Sequence, residues 1–182
     1  MAAVSTEESV VPDGEPAVTA PASDQMTLAG ALQAELLRRS AMLATAESLT
    51  GGRLGDVLSA APGASDTYVG GVVSYATDVK QKVLGVSEET VETHGVVSAE
   101  CAEEMATGVR DLMSADYAVS TTGVAGPATQ EGKPVGLVYI GVASPDGVRS
   151  RRFDFDGDRA EIREKVVKAA IDLVLETVTR AA

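Results

Sequence analysis

Helix-period segments and short apolar runs take turns along this 182-residue chain, and one tight-turn signal breaks the alternation near its end. Leu28, Ala31, Leu32, Leu36 and Leu37 are spaced for one apolar helix face, with Ser23 or Asp24 placed to cap it. Met42-Leu43-Ala44-Thr45-Ala46 is a short apolar run, read as a buried strand. A helix is expected over Thr50 to Leu58, ended by Pro62-Gly63. Tyr68 to Tyr75 is β-rich, and its Gly70-Gly71 pair implies close backbone approach. Asp78 to Leu84 reads as a helix stopped at Gly85, and Ser87 or Thr90 can cap a further short one. Ser98 opens a helix whose apolar face is Cys101, Ala102, Met105, Val109 and Leu112. Tyr117 to Thr121 is a strand. Val135 to Ala143 and Val148 to Phe155 are strands joined at Pro145-Asp146-Gly147, a hairpin signal. A last helix begins near Asp158-Arg159 and carries Ile162, Val166, Ala169, Ala170, Leu173 and Val174 on one side. Such alternation predicts an α/β fold. We expect a three-layer α/β/α sandwich on a mixed, mostly parallel sheet with one antiparallel strand.

Composition sets outer limits. Apolar residues make up 45% of the chain but aromatics only 3%, with no tryptophan, so the core must be aliphatic. Residues 1–24 lack a sustained period and carry acidic but no basic residues, which predicts a disordered acidic tail ahead of one domain over 25–182. The net charge of -12 argues against nucleic acid as a partner, because that binding needs Lys and Arg to neutralise phosphates. No run approaches a membrane span, and the start lacks the pattern of a secretory signal. One cysteine precludes an internal disulfide, and the chain reads as cytoplasmic.

One histidine, His94, and one cysteine, Cys101, also restrict the chemistry. A His/Cys zinc site lacks ligands, and a Ser-His-Asp triad would have to use His94. His94 is expected to close a turn, Cys101 to be core, and Glu100, Glu103 and Glu104 to form a solvated helix face. Ser48 lies in Glu47-Ser48-Leu49-Thr50-Gly51-Gly52, between a strand and a helix, where ligands collect in open α/β sheets. Free N–H groups there can bind an oxyanion or phosphate, or Ser48 or Thr50 can simply cap the helix. Lys80 lies 32 residues later, beyond the Gly-Gly strand and Tyr75. It is a candidate base if burial lowers its pKa, and an ordinary solvated lysine otherwise; Lys82 is the rival. Thr121-Thr122-Gly123-Val124-Ala125-Gly126-Pro127 is either a ligand-lining loop or a plain turn. Arg159 can meet a phosphate or pair on the surface.

These segments, with Gly70-Gly71-Val72-Val73-Ser74-Tyr75, Lys133-Pro134-Val135-Gly136 and Gly157-Asp158-Arg159, occur in an order and spacing that resembles the CinA C-terminal domain family over about residues 27–180. Its enzymatic members are nicotinamide mononucleotide (NMN) deamidases of the PncC type. The resemblance implies hydrolysis of NMN to nicotinic acid mononucleotide and ammonia, without metal or cofactor, by a homodimer or higher homo-oligomer. It implies Ser48 as nucleophile, Lys80 as its base and Tyr75 as a supporting hydroxyl. Glu47, Thr50, Gly51, Gly52, Gly71, Thr122, Gly123, Gly126 and Arg159 are its substrate-binding candidates. Some relatives carry a competence- or damage-inducible label, so a non-catalytic nucleotide-binding or regulatory module is the alternative.

Overall fold

The computed structural model describes residues 23–181. The elements follow in the order α1 (Ser23–Arg38), β1 (Leu43–Glu47), α2 (Arg53–Ala60), β2 (Tyr68–Val73), α3 (Thr77–Leu84), α4 (Glu88–Thr93), α5 (Ala99–Met113), β3 (Tyr117–Gly123), β4 (Leu137–Ser144), β5 (Gly147–Asp154) and α6 (Arg159–Arg180). A short 3-10 turn, Ala64–Asp66, precedes β2. The five strands form one sheet in the order β2-β1-β3-β4-β5. β1 pairs in parallel with both β2 and β3, and β4 is antiparallel to both of its neighbours. A single strand, β4, therefore opposes the other four, and the two-residue Pro145-Asp146 turn makes that reversal possible.

Helices cover both faces. On one, α1, α2 and α6 bury Leu32, Leu36, Leu54, Ile162, Val166 and Ile171 against Leu43, Val119 and Ile140. On the other, Cys101, Met105, Ala106 and Val109 of α5 lie against Ala44, Ala46, Ala118 and Ala143. Small strand residues on that side let α5 approach closely, which compensates for the scarcity of aromatics. β1 and β3 are buried along their full length, as expected of central strands with helices on both faces. The chain leaves β1 through α2 to β2 on one side, then returns through α3–α5 to β3 on the other. Because the two connections lie on opposite faces, a crevice opens at the carboxyl ends of β1 and β3.

Several local expectations change. In α1 the buried stripe is Gln25, Ala29, Leu32, Gln33 and Leu36, while Ala31 and Leu37 are exposed. Two glutamines occupy buried positions because their amides bond to backbone: Gln25 Nε2 to the Glu164 carbonyl at 2.9 Å and Gln33 Nε2 to the Leu58 carbonyl at 3.1 Å. A hydrophobic pattern cannot register such residues. Leu112 of α5 is also exposed. Ser23 and Asp24 lie within α1 rather than ahead of it, and the rest of the expected tail, 1–22, is outside the described residues. Ser87 and Ser98 cap α4 and α5, and Asp158 forms a capping box with Glu161 at α6. Glu104 accepts from Ser87 and Thr90, and Glu103 from Ser150, so these two are bonded rather than simply solvated. No helix among the described residues is long and apolar enough to cross a membrane.

Candidate active site

The crevice is where Ser48 and Lys80 meet. Ser48 follows the last residue of β1, and its N–H is held by the Thr121 carbonyl of β3 at 3.0 Å. Lys80 lies on α3, which begins directly beyond the end of β2. Its Nζ is 3.0 Å from Ser48 Oγ, 2.6 Å from the Ser74 carbonyl and 3.4 Å from that of Tyr75. Lys80 is 1% exposed. Burial pushes its pKa down, opposed by the field of Cys101 and, more weakly, Glu131. A neutral amine has two N–H bonds and one lone pair. When the amine is neutral and both carbonyls accept its N–H bonds, the lone pair is left for the Ser48 hydroxyl; when it is charged, Nζ donates to Ser48 Oγ. Two residues on, Lys82 is exposed and paired with Asp78 at 3.1 Å, which separates the two lysines that the sequence left in competition. Cys101 is core, its thiol pushed up to about 12 by burial.

The expected capping of α2 by Ser48 or Thr50 does not occur. The residue before α2 is Gly52, at φ 94° with no side-chain cap, and the helix begins at Arg53 rather than Thr50. The carboxylate of Glu47 takes the capping position instead. It accepts from the N–H groups of Gly52 (2.9 Å), Leu54 (3.1 Å) and Gly55 (2.8 Å) while 2% exposed. Thr50 faces inward and shares a 2.8 Å hydrogen bond with Thr121. Thr122 is likewise internal, donating to the Val96 carbonyl at 2.5 Å. Gly71 lies in β2 beside Thr45, and a β-carbon there would collide with Thr45 Oγ1. Of the substrate-binding candidates, then, Glu47, Thr50, Thr122 and Gly71 serve internal contacts. Gly51 and Gly52 form the turn itself.

Gly123, Gly126 and Arg159 do reach the cleft, whose lining also includes Ser48, Leu49, Tyr75, Ala125 and Gln130. Larger hollows exist, notably one beside Glu100, Glu103 and Glu104, but they lie away from Ser48. Arg159, on the first turn of α6, donates to the Gly126 carbonyl at 2.7 Å and to the Tyr75 hydroxyl at 3.3 Å. The Tyr75 hydroxyl thus sits at the mouth, while its carbonyl holds Lys80. The loop after Gly126 is strapped down by Glu131, which accepts from Val96 and Val97, and by Lys133, which donates to the His94 carbonyl at 2.6 Å. His94 itself ends α4. Sequence reasoning missed Glu131 and also Arg163, which donates to the Thr50 carbonyl at 2.5 Å. Among the described residues no group of three or more His, Cys, Asp or Glu could hold a metal ion.

This arrangement can hold a serine hydroxyl against a buried amine, beside a polar cleft with an exposed guanidinium at its mouth. Similar proteins bear the same fold. The chain is 33% identical to a competence/damage inducible protein, CihA, from Agrobacterium tumefaciens, at a TM-score of 0.84 over 90% of this chain and 100% of that one. A CinA superfamily protein from Klebsiella pneumoniae, also 33% identical, gives 0.82 over 85% and 98%. A CinA-like protein of Frankia casuarinae is 50% identical over 148 residues, 81% of this chain but 34% of that protein. A putative competence-damage inducible protein of Caldicellulosiruptor saccharolyticus is 44% identical over 85% of this chain and 38% of its own length. The chain therefore spans little more than a third of these curated relatives. A family model for the CinA C-terminal domain matches residues 25–178, and the chain belongs to that family.

Proposed function

We propose that the protein is an amidohydrolase that cleaves the carboxamide of NMN, giving nicotinic acid mononucleotide and ammonia. The observation that carries hydrolysis is the 3.0 Å approach of Ser48 Oγ to the Nζ of a lysine that is 1% exposed. NMN as the substrate rests on the resemblance of the motifs to PncC-type enzymes. In this reading the neutral Lys80 takes the Ser48 proton as Oγ attacks the carboxamide carbon. The tetrahedral oxyanion is met by backbone N–H groups. Lys80 then gives its proton to the departing ammonia, leaving a nicotinoyl ester on Ser48. Water, deprotonated by the same amine, hydrolyses that ester and restores the hydroxyl. Arg159, at the cleft mouth, is the group placed to meet the nucleotide phosphate, with the Gly123–Gly126 loop against the substrate and the Tyr75 hydroxyl beside it. No cofactor enters the scheme. We further propose a cytoplasmic homo-oligomer, on the same resemblance.

The test is ammonia release from NMN by the purified protein. Release that disappears in Ser48→Ala supports the proposal. Binding of NMN by calorimetry without any ammonia overturns it in favour of a nucleotide-binding module.

A further inference from the structure

The turn that carries Ser48 is fastened by two charged side chains, Glu47 and Arg163, neither of which lines the cleft. The Glu47 carboxylate takes the N–H groups of Gly52, Leu54 and Gly55. The Gly51 N–H bonds to the Ser48 carbonyl, that of Arg53 to Thr50, and that of Asp56 to Gly52. The Ser48 N–H is held by Thr121. Arg163 reaches from α6 to fix the Thr50 carbonyl, and Thr121 fixes the Thr50 hydroxyl. In the stretch from Ser48 to Asp56, only the N–H groups of Leu49 and Thr50 have no acceptor among the described residues. Leu49 is 4% exposed and Thr50 is 0%. An unpaired N–H in a buried residue is costly unless something else satisfies it. These two lie immediately after the nucleophile, where an oxyanion forms.

We infer that Glu47 and Arg163 are positioning residues. From behind the turn they hold the Leu49 N–H, whose residue lines the cleft beside Ser48, as the donor that receives the substrate oxyanion, while fully buried Thr50 anchors the turn from inside. Glu47 has a second consequence. A carboxylate already occupies the start of α2, so this helix N-terminus is closed to an anionic group of the substrate. Removing one oxygen acceptor, as in Glu47→Gln, turns an amide N–H toward backbone donors and loosens the turn. The inference deepens the proposed amidohydrolase reading and depends on Ser48 being the nucleophile, not on NMN being the substrate.

The experiment compares wild type, Glu47→Gln and Arg163→Lys. It measures kcat and KM for ammonia release from NMN, the rate at which a fluorophosphonate modifies Ser48 by mass spectrometry, and Tm. Expected is a fall in kcat of up to ~10²-fold, the scale of a lost oxyanion donor or a slight misplacement, with KM little changed. Fluorophosphonate modification should slow in parallel. A lowered Tm with kcat and modification rate unchanged would make both residues mere fold supports and overturn the inference. So would a raised KM at constant kcat, which means direct substrate contact. If wild type is modified at Ser48 but leaves NMN intact, the substrate assignment fails. The modification rates then decide the positioning role alone. Arg163→Lys keeps the question open to refutation should Glu47→Gln fail to fold.

Discussion

The two walls of the cleft are built on opposite principles. On the β1–β2 side, Ser48 sits on a turn and Lys80 on α3, with polar groups almost all paired inside the protein, and Lys80 is 1% exposed. On the facing side, residues 127–130 and Arg159 are exposed, and Arg159 has only a carbonyl and a phenol for company. The first wall removes water from an amine, which is how a lysine becomes a base. The second keeps a guanidinium wet and always charged, suited to meeting an anion without a large desolvation cost. In the proposed amidohydrolase, one wall makes the chemistry and the other makes the grip.

The strongest attempt to break this contrast is Ser48→Ala. It removes one oxygen from the chemical wall and should reduce ammonia release to background while circular dichroism and Tm stay near wild type. Next is Lys80→Arg, whose guanidinium cannot become neutral near pH 7. It should lower kcat by roughly 10²–10⁴-fold, the usual worth of general acid–base catalysis. Retained kcat would move Lys80 to the binding wall.

The pH dependence should carry the same signature. Burial lowers the Lys80 pKa, so wild-type kcat should fall as pH drops through that lowered value and the amine takes up a proton. Folding has the matching sign. Between the lowered value and about 10.4, the unfolded-state lysine value, the unfolded chain binds the extra proton. The Lys80 contribution to stability therefore rises with pH across that window. Urea titrations across alkaline pH, comparing wild type with Lys80→Met, would reveal it as a difference in slope between the two, on top of the opposite slope that the raised Cys101 and Tyr68 values give to both.

Much of this was legible beforehand, for identifiable reasons. Strand and helix alternation follows from side-chain period, and the hairpin from Pro145-Asp146-Gly147. Ser48 and Lys80 stand out through turn chemistry and motif order. What distinguishes Lys80 from Lys82 is burial, and nothing in Asp78-Val79-Lys80-Gln81-Lys82 announces which lysine turns inward. The motif resemblance puts Glu47 among the substrate-binding candidates. Its actual partners are three N–H groups five to eight residues away, at a helix start that Gly52 leaves without a side-chain cap. Arg163 meets Thr50 across 113 residues, a contact no local pattern encodes. Buried Gln25 and Gln33 displaced Ala31 and Leu37 from the expected core for the same reason: polar groups can be buried when a backbone carbonyl is waiting.

Smaller effects test the gripping wall. Arg159→Ala should raise KM for NMN by about 10–100-fold, the worth of one or two charge-assisted hydrogen bonds, with kcat much less affected. A collapse of kcat at constant KM would instead place Arg159 with the chemistry.

Tyr75→Phe probes the seam between the walls and should have the smallest effect. Its carbonyl, 3.4 Å from Lys80 Nζ, belongs to the chemical wall and survives the substitution. Its hydroxyl, 3.3 Å from Arg159, is what the substitution removes. That side chain stands at the cleft mouth on a residue that is 65% exposed, so its loss should leave the Lys80 environment intact. An exposed 3.3 Å hydrogen bond from a guanidinium, weakened by the surrounding water, is worth about 1 kcal/mol, which corresponds to roughly a fivefold change in kcat/KM. The lowered pKa read from the kcat–pH profile should stay where wild type has it. A loss as large as that of Lys80→Arg, or a displaced pH profile, would show that the hydroxyl swings inward when substrate binds and joins Ser48 and Lys80. The line between chemistry and grip would then pass through Arg159 rather than Tyr75.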